Sequence, residues 1–123
     1  RRTWMRAADV VDAVAEHADR DPVWAVRMLL QGRDQSLALS TPARRAVWAT
    51  GSPSRRLIGP WKALAYQVLR DSARDGRPIP RWLVAPTPLE RPWAPLPVRE
   101  DRPLHQGLAK VGVLVNEREL LTA

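Results

Sequence analysis

The chain has no cysteine and no phenylalanine, and only one tyrosine, Tyr66. Without cysteine, structural disulfides, thiol catalysis and zinc ribbons are excluded. That suits a cytosolic protein, and a cytoplasmic location is the expectation. Without phenylalanine, tryptophan must supply nearly all the large aromatics of a core, and it occurs six times. Long hydrophobic runs are missing too. No apolar stretch approaches the ~20 residues of a membrane-spanning helix, and no signal peptide is visible, so no membrane partner is expected. The chain begins at Arg1, not Met, and further residues upstream are expected. At 123 residues it reads as one domain, residues 1–123, with a modest core that needs no metal.

Groups for chemistry are equally scarce. The two histidines, His17 and His105, are far apart in sequence. Neither has a metal-ligand companion one helical turn away, and neither has a serine or cysteine motif to serve. There is no glycine-rich phosphate loop. No enzyme activity, cofactor or metal is expected.

Positive charge and proline are abundant. Lys and Arg total 20 against 13 Asp and Glu, a net charge of +7, and every base except Lys62 and Lys110 is arginine. Much of this bias is what a GC-rich genome writes on a solvated surface. The distribution is uneven, however. Arg44, Arg45, Arg55, Arg56 and Lys62 follow one another with no acid between them, whereas acids outnumber bases from Arg1 to Asp21.

The periodicity predicts an all-α fold. Its parts are four main helices, a Pro/Trp-rich extended C-terminal arm, a short β-prone segment and a final short helix. Thr3 is placed to cap a first helix from Trp4 to about Ala18, with Val11, Val14 and Ala18 on its apolar face. Asp9, Asp12, Glu16 and Asp19 form an acidic strip beside that face, read as solvated. Its small alanines and valines would let another helix approach closely. Asp21-Pro22 opens a second helix and Gly32 is expected to close it. That helix is apolar nearly all round, the mark of a central position, with Arg27 expected to snorkel or to pair with an acid of the first helix. Thr41-Pro42 opens a third helix to Ala49, and Gly59-Pro60 a fourth that ends at Gly76. A last turn or two of helix is expected from Pro103 to about Lys110, stopped by Gly112. Val113-Leu114-Val115 is β-prone, either extended core backbone or a strand awaiting a partner. Asn116 and Glu119 match a capping box for the final helix.

Residues 77–103 hold eight of the twelve prolines, together with Trp82, Leu83, Val84, Leu89, Trp93 and Leu96. A flexible linker would not carry those side chains. The segment reads as an arm made to lie on a surface, either its own core or another protein. Trp82 and Trp93 are the candidate clamps or anchors.

Several motifs coincide in the second half: Trp61-Lys62-Ala63-Leu64, Pro78-Ile79-Pro80-Arg81-Trp82, Arg91-Pro92-Trp93, and Gly112-Val113-Leu114-Val115 running into Asn116-Glu117-Arg118-Glu119-Leu120. On these motifs the chain resembles a family of small, mostly actinobacterial, antitoxin-like proteins encoded beside nucleotidyltransferase-type toxins. The resemblance implies a protein that neutralises a cognate toxin by direct contact. The implied contacts are Arg44, Arg45, Arg55, Arg56, Trp82 and Trp93, with arginines facing an acidic, metal- and nucleotide-holding site. Two other classes remain open: a basic nucleic-acid-binding regulator or RNA-binding accessory, in which tryptophans stack on bases, and a homodimerisation domain. A helix-turn-helix reader is not supported, because the second helix is too apolar for a groove.

Overall fold

Each of the three predicted cap-plus-proline signals opens a helix. The computed structural model describes residues 6–55, 57, 59–71 and 77–121. Helix α1 is Ala7–His17, α2 is Pro22–Leu37, α3 is Pro42–Trp48 and α4 is Pro60–Arg70. A one-turn helix, α5 (Gln106–Ala109), and a 3-10 turn, Glu117–Leu120, lie near the C-terminus. Asp21 Oδ1 accepts from the Trp24 amide at 3.0 Å, and Thr41 Oγ1 from the Arg44 amide at 3.2 Å. Proline at the first helical position has no N–H to satisfy, so each start leaves few orphan donors.

The first helix starts later than its periodicity suggests. Its N-cap is Arg6, whose amide donates to Asp9 Oδ2 at 2.9 Å. The proposed Thr3 cap and Trp4 lie outside the described residues. Ala7, Ala8, Val10, Val11 and Val14 are buried on the face that meets α2.

Gly32 does not end α2; the helix continues through it to Leu37. The glycine serves packing instead. A Cβ at Gly32 would lie 2.8 Å from Val10 Cγ2, so its absence lets α1 approach. The stop signal comes from the arm. Arg77 donates through its guanidinium to the carbonyls of Ser36 at 2.8 Å and Leu37 at 3.2 Å. These are carbonyls of the last turn, of which Ser36 O also accepts from the Leu39 amide, and a cation there suits the helix dipole. Arg27 is exposed.

Helix α4 lies against α2 and α5 and buries Ala63, Leu64, Ala65, Val68 and Leu69. Its described part ends at Arg70, and the expected stop at Gly76 lies outside the described residues. One continuous apolar cluster joins these side chains to Leu29, Leu30, Trp48, Leu83, Leu108, Val113 and Val115. The core therefore draws on both the helices and the proline-rich C-terminal half.

The β-prone run does find partners within the chain. Trp93 and Val113 form a parallel bridge, with Trp93 N donating to Gly112 O at 2.9 Å and Leu114 N to Trp93 O at 2.8 Å. Leu104 and Asn116 form an antiparallel bridge, in which His105 N donates to Val115 O at 2.8 Å. The run is held between two parts of the arm, and Val113 and Val115 are buried. It is core backbone rather than an edge for another chain. Gly112 enables this course. Its φ of +92° places it in the left-handed region, where it ends α5 with paired bonds, Val113 N to Leu108 O and Gly112 N to Ala109 O.

Asn116 has a different task from the cap its spacing suggests. Its side chain makes no cap bond. It is 2% exposed and knots the arm's last turn. Oδ1 accepts from the Arg99 amide at 2.7 Å, while Nδ2 donates to the carbonyls of Arg99 at 3.0 Å and Arg102 at 3.1 Å. The chain's end is tied to α2 by Arg33, a buried arginine that donates to Leu120 O and Leu121 O.

Candidate protein-binding cleft

The arm is fastened at many points, and one stretch between fastenings stands away from the helices. Its near end is set by Trp82, whose indole N–H donates to Gly51 O at 2.9 Å. Gly51 lies in the connection between α3 and α4, with φ +79°. A Cβ at Gly51 would lie 2.6 Å from the Arg6 guanidinium, so Arg6, Gly51 and Trp82 form one stack of contacts. Leu83 beside it is buried in the core cluster. The far end is set by Leu89, whose amide donates to Val111 O at 2.8 Å.

Between these fastenings runs Val84-Ala85-Pro86-Thr87-Pro88. Among the described residues, the amides of Val84, Ala85 and Thr87 have no hydrogen-bond partner. Val84 is 54% exposed. Proline at positions 86 and 88 also biases Ala85 and Thr87 toward extended backbone. This stretch, α4 and the α3–α4 connection enclose an open cleft of about 830 Å³. Its apolar lining includes Tyr66, Trp82, Leu83, Val84 and Leu89, and its charged lining is Arg55, Lys62 and Glu90.

Arg55 is held from behind. Its backbone N–H donates to Asp12 Oδ1 at 2.8 Å, which leaves the guanidinium exposed. The acidic strip of α1 is therefore more than a solvated face, since Asp12 anchors the connection and Asp9 anchors Arg6. Burial pushes the Asp9 carboxyl up, but hydrogen bonds from the Arg6 side chain and amide, with the Arg6 charge, outweigh it and hold Asp9 below the ordinary carboxylate value.

The six residues expected at a partner surface fall into three groups. Arg55 and Trp82 both line the cleft. Arg44 is exposed on α3, outside the cleft lining. Arg45 Nε donates to Leu39 O at 3.0 Å, and Trp93 sits edge-on to Trp61 with ring centroids 5.0 Å apart; both serve internal packing. Arg56 lies outside the described residues. Lys62 of the basic run and Val84 and Leu89 of the arm also line the cleft, as does Tyr66, for which the sequence carries no binding signal. The Pro86-Thr87-Pro88 spacing was the available signal, because it keeps backbone donors out of a ladder.

The histidines take structural places. His105 caps α5, its Nδ1 accepting from the Leu108 amide at 3.1 Å. His17 stacks edge-on against Trp24. Among the described residues there is no cluster of three or more His, Asp or Glu able to hold a metal, and no helix long and apolar enough to cross a membrane. Comparison with protein-family models, curated proteins and solved structures finds no match for the chain.

Proposed function

We propose that this chain is a non-enzymatic, antitoxin-like protein that binds a partner protein and neutralises it by direct contact. The reading's finer part, carried by the motif resemblance, is that the partner is a nucleotidyltransferase-type toxin. The observation that supports partner binding is the cleft between α4 and the arm, lined by apolar side chains together with Arg55 and Lys62, beside backbone amides that have no partner among the described residues. Large aromatics beside arginine are the usual anchor chemistry of protein interfaces. The cleft is assembled before any partner arrives, which lowers the ordering cost of association.

The test is co-expression with the product of the neighbouring gene. The two proteins are expected to co-elute at micromolar concentration and the partner's nucleotide-transfer activity to fall. Independent elution would refute the reading. The exposed Arg44 and Arg55 also support a second reading, binding to nucleic acid. Salt separates the two. Phosphate-dominated binding weakens steeply between about 50 and 200 mM salt, by ~10³-fold or more when six or more phosphates are contacted. An interface built on apolar anchors loses far less.

A further inference from the structure

We infer that the cleft takes an extended acidic segment of the partner, a strand-like peptide with carboxylates beside apolar side chains. The inference deepens the protein-binding reading and rests on it. Three features select this occupant. First, the Val84–Pro88 wall is exposed backbone in which the Ala85 and Thr87 amides, two residues apart and so on one edge of an extended chain, have no partner, and an extended peptide offers carbonyls to such an edge. A helix, whose carbonyls are spent internally, cannot use it. Second, Arg55 and Lys62 outweigh Glu90 among the charged lining residues, and the chain as a whole carries +7. Carboxylates are therefore the complementary groups. Third, Trp82, Leu83 and Tyr66 give the cleft an apolar part of its lining. Alternate side chains of a strand point to opposite sides, so one set can meet the apolar lining while the other meets Arg55, Lys62 or solvent.

The occupant also explains why the wall is proline-rich. Pro86 and Pro88 have no N–H, so the edge opposite Ala85 and Thr87 offers no donors there, and strand addition is confined to one side.

The experiment presents a displayed library of random ten-residue peptides to the full chain. Enriched peptides are expected to be rich in Asp and Glu with apolar residues at every second position. In ¹⁵N-labelled protein, a winning peptide is expected to shift the amides of Val84, Ala85 and Thr87 and the Trp82 indole. The double variant Arg55→Glu/Lys62→Glu is expected to weaken its binding at least tenfold, whereas Arg44→Glu, outside the cleft, is expected to leave binding within twofold. Basic or uncharged winners, no winners, or shifts confined to other residues would overturn the inference. So would a twelve-residue thymidine oligonucleotide that shifts the same amides more strongly, or a concentration-dependent self-association that shifts them without peptide. The broader reading fails separately. If the neighbouring gene's product binds equally well to the wild type and the double variant, only the acidic-segment inference falls. If it does not bind the wild type at all, the antitoxin reading falls.

Discussion

Residues 84–88 and 89–103 belong to the same proline-rich arm, yet they are held in opposite ways. The later stretch is tied at intervals to other parts of the chain. Leu89 bonds to Val111, Trp93 bonds on both sides to the Gly112–Leu114 backbone, and Arg99 and Arg102 are gathered by Asn116. In the earlier stretch the chain spans from Leu83 to Leu89 with its amides free. Proline content is therefore a poor guide to whether an arm is committed. What decides is whether a second segment supplies donors and acceptors at matching positions. The tail Val113–Asn116 does so at Trp93, Arg99, Arg102 and Leu104, and no described segment does so for 84–88.

The largest expected effect comes from breaking the committed half. Asn116→Ala leaves the Arg99 amide and two carbonyls without their partner and is expected to cost about 2–3 kcal/mol, read as a lower urea midpoint at unchanged m-value. A variant that unfolds like the wild type would mean that the knot is solvated at no cost. Arg77→Met is next. It uncaps α2 and removes charge-assisted bonds to Ser36 and Leu37, for about 1–2 kcal/mol in the same titration. Val84→Ala with Thr87→Ala is expected to change stability by less than about 0.5 kcal/mol, because both side chains are exposed and the free stretch contributes little to the fold. Partner affinity is nevertheless expected to drop, and a large loss of stability would erase the contrast between the two halves.

The smallest effect is set by pH. Asp9 has a folded-state pKa below its unfolded one, so its stabilising contribution is fully present above the unfolded value of about 4. It is lost as pH falls through the lower folded value. Asp9→Asn is expected to flatten the stability profile on the acid side only and to leave the difference from wild type constant above about pH 5. The pair is partly exposed, so the difference will be modest and will shrink in salt.

Much of the helical half was legible because its signals are local. Asp21-Pro22, Thr41-Pro42 and Gly59-Pro60 each carry a start signal in adjacent residues. Gly32 misled because a glycine can serve either a helix end or a helix contact, and Val10, the residue that decides between them, lies a helix away. Asn116 misled for the same reason, since a capping-box spacing and a loop-knotting asparagine look alike until the loop at Arg99 is placed. The β-prone run could be seen, but its partners Trp93 and Leu104 could not, because pairing across a long separation leaves no periodic trace. At the cleft, charge and arm composition pointed to Arg55, Lys62, Trp82 and Leu89, while Tyr66 and the gathering of these residues around one cleft follow only from the tertiary structure.

Native-state amide exchange, followed residue by residue in the free protein and with the bound partner, tests the difference between the two halves most directly. The account predicts strong protection at Leu89, Trp93, His105 and Leu114 in both states. It predicts fast exchange at Val84, Ala85 and Thr87 in the free protein, and slowing there when the partner binds. Uniform protection across residues 84–104 in the free protein, or slowing on binding that bypasses Val84, Ala85 and Thr87, would contradict it.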